Sequence, residues 1–267
     1  MQYTQNFVAF VDILGFSSYV SKEENAAKTQ DLFTFVEKFR FFYNTSPKLD
    51  TKVSFFSDSI VITSSNIESI IIAIYIAESY LQKNLGLLFR GGICHGKYYH
   101  DNNVTFGPAV VSAYRLEKQA IYSRIIIEKE ICSQLQQELF LFRDIDGYVC
   151  CNPYAMILDE NVAYGPDGPV YPNGNITGLI IASFKRHRDE LIQQIQQYKG
   201  TPVVDKYLWR IRPFNYTCNL IANMACGEIL FERIGYAVSE ELKTGLKALA
   251  ITGSDFDSYL FLTEVIP

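Results

Sequence analysis

The run Phe7-Val8-Ala9-Phe10-Val11-Asp12-Ile13-Leu14-Gly15-Phe16 decides the fold, together with Phe55-Phe56-Ser57-Asp58-Ser59-Ile60-Val61-Ile62 further along. The first is apolar, β-branched and aromatic up to Asp12, which reads as a strand buried on both faces. An ionised carboxylate at the end of such a strand is expensive unless it is paired or holds a metal, so Asp12 needs a partner. The second is two short apolar runs split by Ser-Asp-Ser, a tight β-hairpin with Asp58 at its tip. Neighbouring strands would bring both carboxylates to one sheet edge. Carboxylate oxygens completed by water and phosphate oxygens are how magnesium or manganese is usually held on a nucleotide. The same residues also suit plainer roles, Asp12 as a helix cap and Asp58 as a turn residue.

Outward from these runs, helical spacing covers Glu23 to Tyr43, with Ala27, Leu32, Phe35, Val36, Phe39 and Phe42 on one side. Asn44 to Asp50 is a loop. The hairpin from Lys52 to Thr63 and a helix from Ile67 to Asn84 follow, then a glycine-bearing strand from Gly86 to Tyr99. A turn over Asp101 to Gly107 leads into a helix from Pro108, well suited to a first helical position, to about Ile121. Arg124 to Ile127 reads as a strand, Glu128 to Glu138 as a helix, and Phe140 to Met156 as one or two strands. This order predicts an α+β fold, an antiparallel-rich ferredoxin-like sheet with helices on one face.

Composition shifts near Asp159. Residues 158–175 are rich in glycine and proline without periodicity and read as a loop or linker. Residues 176–267 form a helical extension, with helices expected at Ile176 to Tyr198, Pro202 to Phe231 and Ser239 to Leu249. Its apolar stripes suit packing or dimerisation.

Hydrophobic residues make up 48% of the 267 and charged residues 20%, the balance of a globular chain. A net charge of −5 without a basic tract argues against a nucleic-acid polymer as partner, though not against a single nucleotide with its metal. No signal peptide precedes the first strand, and Ile67 to Leu81 is too short and too charged to span a bilayer, so a cytoplasmic location is expected. The six cysteines show no zinc-type spacing and read as reduced, mostly buried thiols.

Four stretches in order carry a resemblance. Phe10-x-Asp12-Ile13-x-Gly15-Phe16, the hairpin Asp58, Arg90-Gly91-Gly92-Ile93-Cys94-His95-Gly96, and Gly107 to Ala113-x-Arg115 resemble the motifs of class III nucleotidyl cyclases over residues 5–157. The resemblance implies two divalent metal ions, Mn2+ or Mg2+, held by Asp12, Asp58 and the backbone carbonyl of Ile13. It implies that Arg115 of a partner subunit steadies the phosphate in the transition state, and that the Phe16 backbone lies near the phosphates. Such chemistry needs these residue types: metals to acidify the ribose 3′-hydroxyl and hold the triphosphate, and a guanidinium fork for the phosphoryl oxygens. Arg115 also suits a helix-surface arginine, though Glu117 at i+2 cannot face it.

Departures from the family pattern narrow the substrate. The base-reading position four residues before the hairpin aspartate is Ser54, the position after the helix glycine is Pro108, and the transition-state asparagine is Val111. None supplies the usual purine-reading or transition-state group. Those gaps, with the helical tail carrying Lys206-Tyr207-Leu208-Trp209-Arg210, resemble the pyrimidine cyclases of bacterial Pycsar antiphage defence. That implies a homodimer with composite sites that turns UTP or CTP into a cyclic nucleotide read by a downstream effector. The Tyr-x-x-x-Arg pattern of cytidylate makers is absent, which leans to UTP. A silent cyclase-fold nucleotide sensor is the alternative. His95 is expected as a buried, satisfied histidine, Asp144 and Asp146 as turn residues, and Lys97, Lys118, Arg124 and Lys129 as candidates to meet the triphosphate.

Overall fold

The computed structural model describes residues 2–22, 26–46, 49–101, 104–135, 138–155, 157, 163–165, 168–170, 176–231 and 236–256. The chain divides into two compact units, Met1–Cys151 and Asn152–Pro267. In the first, β1 (Thr4–Leu14) leads through a short helix α1 (Phe16–Val20) and α2 (Ala26–Thr45) to the hairpin β2 (Lys52–Phe56) and β3 (Ser59–Ser64). Helix α3 (Ile67–Leu85), strands β4 (Leu88–Asp101) and β5 (Val104–Phe106), helix α4 (Pro108–Gln119), and strands β6 (Ile125–Ile127), β7 (Leu141–Arg143) and β8 (Val149–Cys151) complete it. The sheet runs β2-β3-β1-β4-β6-β8-β7, with β5 paired to β4. Each of its first four strands runs antiparallel to its neighbours in the ferredoxin-like order, so the expected α+β core is present.

The central strand explains the layering. Val8 and Ala9 are adjacent, point to opposite faces, and are both fully buried. Helices therefore cover both faces, not one as expected from element order. On one side α2 and α3 close the sheet, Phe35 stacking on Tyr80 with ring centroids 4.2 Å apart and Phe39 meeting Phe55 edge-on. On the other, α4 lays Ala109 and Ala113 against Val8, Val61, Cys94 and Tyr98.

Glycines let α4 sit this close. A Cβ on Gly92 would collide with Leu116 Cβ and come within 2.6 Å of the Ala113 carbonyl oxygen. Gly96 lies under Ala109 in the same way, and the Cys94 thiol donates to the Ala109 carbonyl at 3.0 Å. Gly107 starts the helix at φ 138°, where an added Cβ would stand 2.8 Å from Tyr98 Cα, and Pro108 occupies the first turn as expected.

Several boundaries differ from the sequence expectation. Gly86 is not the start of a strand but the left-handed cap of α3, its N–H donating back to Gln82, so β4 begins at Leu88 and runs on to Asp101. Glu128 to Glu138 is not an α-helix. Its described residues form two 3-10 segments, Lys129–Gln134 and Glu138–Phe140, with Ile131, Leu135, Leu139 and Phe140 buried. The start expected at Glu23 and the loop at Pro47 lie outside the described residues.

In the second unit, much of 158–175 lies outside the described residues, but Ala163–Gly165 (β9) and Gly168–Val170 (β10) pair as a small hairpin within the expected linker. Helices α5 (Ile176–Gln197), α6 (Val204–Asn223) and α7 (Glu240–Lys247) follow. The helix expected to reach Phe231 stops at Asn223. Gly227 turns the chain at φ 87°, and β11 (Ile229–Phe231) pairs with β12 (Tyr236–Ala237). Phe184, Trp209, Phe214, Leu242 and Leu246 form the unit's core, and Ser239 caps α7 by accepting from Leu242 N. Among the described residues, no helix is long and apolar enough to cross a membrane. The free cysteines 94, 150, 151 and 218 are buried, whereas Cys226 is exposed.

Candidate active site

Register brings the two aspartates together. Asp12 pairs with Ser59 of β3 on one side and Arg90 of β4 on the other. Ser57, at φ 55°, turns the hairpin in two residues, and the Ile13 N–H donates to the Asp58 carbonyl at 2.8 Å. The hairpin tip is thereby tied to the end of β1, close enough that the Asp58 charge acts on Asp12. Burial pushes the Asp12 carboxyl above the ordinary carboxylate range. Arg90 pulls it down, while Glu117 and Asp58 push it further up.

The partner that Asp12 requires is Arg90, with Nη2 at 3.2 Å. The same nitrogen lies 2.6 Å from Glu117 Oε1, and Glu117 is 1% exposed. That contact is an ion pair by distance but not an aligned hydrogen bond, since both Glu117 oxygens and Arg90 Nε lack hydrogen-bond partners. Neither residue stood out in the sequence as a site residue. The available signal was a charge within the glycine-rich strand and an acid on the apolar face of α4, each needing an opposite charge once buried.

Arg115 is exposed and among the described residues carries no hydrogen bond or ion pair. Two helical residues subtend about 200°. With Glu117 against Arg90 and the end of β1, Arg115 therefore points away from the carboxylates of its own chain. Val111 and Tyr114 flank it on the exposed face of α4, at 49% and 43% exposure. Phe16 opens α1 directly after Gly15, which turns at φ 85°. Ser54 lies on β2 with its hydroxyl 2.8 Å from Thr105 Oγ1, and Pro108 is exposed at the start of α4.

Other expectations change. His95 is exposed, not buried, and its ring lies 4.9 Å from that of Phe7. Its site on β4 pairs with Phe7, and its backbone N–H donates to Glu128. Asp144 and Asp146 do occupy a turn, but Asp144 is buried, and the pair clamps Arg124 at 2.5 and 2.6 Å. Arg124 is thus committed to this clamp and is no longer a candidate for the triphosphate. Lys118 lies over the Tyr114 ring and 3.6 Å from Glu117.

Among the described residues no cluster of three or more His, Cys, Asp or Glu side chains forms a ready metal cage. Asp12 and Asp58 are a pair of hard oxygen donors, and two cations, Arg90 and the more exposed Lys118, stand against the three acids at Asp12, Asp58 and Glu117. That excess of negative charge and the raised Asp12 pKa fit a hard divalent cation.

No protein-family model matches the chain, and no curated protein does. Among solved structures it is similar to an adenylate/guanylate cyclase/hydrolase from Silicibacter pomeroyi, with a TM-score of 0.40 and 12% identity over 56% of this chain and 95% of that one. It is also similar to a bacterial light-regulated adenylyl cyclase, with a TM-score of 0.42 and 13% identity over 68% of this chain and 56% of that one. A class III adenylyl cyclase-like ATP-binding protein from Pseudomonas aeruginosa gives a TM-score of 0.33 and 15% identity, covering 48% of this chain and 34% of that one. At these scores and identities the likeness assigns this chain neither a family nor an activity.

Proposed function

We propose that this chain is a metal-dependent nucleotide cyclase that converts UTP, or less readily CTP, into its 3′,5′-cyclic monophosphate, releasing inorganic pyrophosphate. The observation that carries the reading is the meeting of Asp12 and Asp58 at one sheet edge while Arg115 faces outward from the same unit. When bound at Asp12, Asp58 and the Ile13 carbonyl, two divalent ions, Mn2+ or Mg2+, would acidify the ribose 3′-hydroxyl and neutralise the triphosphate. Arg90 balances part of the Asp12 charge before the nucleotide arrives, and Glu117 holds Arg90 in place. Arg115 donates to the phosphoryl oxygens as their charge develops.

The outward aim of Arg115 favours donation across a homodimer, in which each of two sites takes its aspartates from one chain and its arginine from the other. Exposed apolar side chains of the same unit suit such a contact: Val111 and Tyr114 beside it on α4, and Phe56, Val104 and Phe106 on the strands. The pyrimidine assignment is supported by Ser54 and Pro108 at the two purine-reading positions. The cyclic product would serve as a second messenger to an effector in antiviral defence, within the cytoplasm, as the Pycsar resemblance implies.

Incubation of the purified protein with ATP, GTP, CTP and UTP plus manganese, with products identified by mass spectrometry, tests the reading. A cyclic pyrimidine nucleotide is expected. A cyclic purine overturns the base assignment, and four unreacted triphosphates with measurable nucleotide binding point to the sensor that Val111, in place of asparagine, favours.

A further inference from the structure

Arg90 is a cation already seated on Asp12, and its own hydrogen bonding is incomplete. Its Nη2 donates to Asp12 Oδ2 at 3.2 Å and lies 2.6 Å from Glu117 Oε1 without an aligned hydrogen bond. Three buried atoms of this cluster lack hydrogen-bond partners among the described residues: Arg90 Nε, Glu117 Oε1 and Glu117 Oε2. Buried polar groups are seldom left so, and here the orphans match one another. A guanidinium offers Nε–H and Nη2–H as a parallel fork, and a carboxylate offers two oxygens at the spacing of that fork. Turned fully onto Glu117, Arg90 would satisfy all three atoms at once. The hydrogen bond that it gives instead is the one to Asp12.

We propose that Arg90 is a resident counter-cation that yields Asp12 to an entering divalent ion and closes its fork on Glu117, so that the pair sets how readily the empty site takes up metal; the proposal rests on the cyclase reading above. A divalent ion on Asp12 repels a guanidinium that shares the same carboxylate. Glu117 gives that guanidinium a place to go, within the span of its present contact. Arg90 compensates Asp12 before the ion binds. Afterwards it compensates Glu117 in full, and no buried charge is left alone in either arrangement.

Exposure suits such an exchange. The Asp12 and Arg90 side chains are 21% and 25% exposed, so a hydrated ion can reach the carboxylate, whereas Glu117 at 1% is closed to water and depends on a protein cation. Lys118 is the other cation beside it, 3.6 Å from Oε2, but it is 57% exposed, lies over the Tyr114 ring and makes no hydrogen bond to Glu117. Arg90 and Glu117 are thus positioning residues that act through Asp12.

Two metal titrations of the full chain, each run with and without inorganic tripolyphosphate, test the exchange. In the first, Mg2+ is added to isotope-labelled protein and the Nε–H resonance of Arg90, identified by its loss in Arg90→Lys, is followed by NMR. It should move downfield as Nε gains Glu117, and should move much less in Glu117→Gln, whose side chain has lost the charge and one acceptor oxygen. In the second, bound Mn2+ is counted by electron paramagnetic resonance. Glu117→Gln, which strands Arg90 on Asp12, should bind Mn2+ at least about tenfold more weakly than the parent, a modest share of what breaking a buried ion pair can cost. The double variant Arg90→Gln with Glu117→Gln should regain the parent's affinity or exceed it, whereas a pair that merely braced Asp12 would lose more. An Nε–H resonance that stays still while Mg2+ saturates, or a double variant that binds no more tightly than Glu117→Gln, overturns the exchange and leaves the cyclase reading intact. If the parent binds neither ion even with tripolyphosphate, the metal site falls and the exchange with it.

Discussion

Asp12 is held ionisable at a cost. Burial, Glu117 and Asp58 all disfavour its charge, and Arg90, with a smaller contribution from Lys118, compensates within the fold. Asp12→Asn removes that charge and keeps an acceptor for Arg90, so the metal-free variant should melt at a higher temperature than the parent at pH 7. It should also lose cyclisation by at least about a hundredfold, since an oriented charge at a reacting centre is commonly worth that much. A lower melting temperature would show that the Asp12–Arg90 pair stabilises more than burial costs. His100 supplies the pH dependence. Its pKa is lowered by burial from the usual 6.5, so the unfolded chain takes up a proton before the folded one does. The stability this contributes is complete above the unfolded pKa and declines as the pH falls through it towards the lower folded value. The melting temperature of the parent should therefore drop more steeply between pH 7 and pH 5 than that of His100→Phe, and parallel slopes would contradict this.

At the scale of elements, the seat of α4 on β4 decides the site. Gly92 lets Leu116 and Ala113 touch the strand, and that closeness carries Glu117 to within 2.6 Å of Arg90. Gly92→Val should lift the helix and destabilise the protein by about 1–3 kcal/mol, the usual cost of overpacking. It should also weaken metal-dependent nucleotide binding, because Arg90 loses its brace. Denaturant unfolding and a binding titration read the two effects separately. Arg115→Ala, on the opposite side of the same helix, should leave stability within about 0.5 kcal/mol of the parent. Its turnover should nonetheless fall by about two orders of magnitude or more, as for other arginines that meet a transferring phosphate.

For the whole molecule, the proposed composite site makes an assembly prediction. Asp58→Ala and Arg115→Ala proteins should each be nearly inactive as homodimers. When mixed and allowed to exchange, they should regain activity through the one site per heterodimer that has both parts. No recovery after heterodimers have been verified by tagged purification would place Arg115 in the service of its own chain. Tyr114→Glu, which sets a charge within the exposed apolar surface of α4, should shift the protein towards monomer in sedimentation.

Local sequence determined much of the first unit. An unbroken apolar run specified β1, the Ser57-Asp58 turn specified the hairpin, and Pro108 after Gly107 specified the start of α4, because strand burial, turn geometry and helix entry are properties of neighbouring residues. It also singled out Asp12 as a charge in need of a partner. Which partner that would be was a tertiary matter. Arg90 and Glu117 meet only because β1 pairs with β4 and α4 lies on the glycines of β4, contacts between segments far apart in the chain. The same holds for Arg124, whose commitment to Asp144 and Asp146 depends on a distant turn, and for Ser54, which meets Thr105 only when the β4–β5 arm folds across to β2. Periodicity reports which face of an element is buried, while the pairing of strands and the seating of helices decide which polar groups share that face.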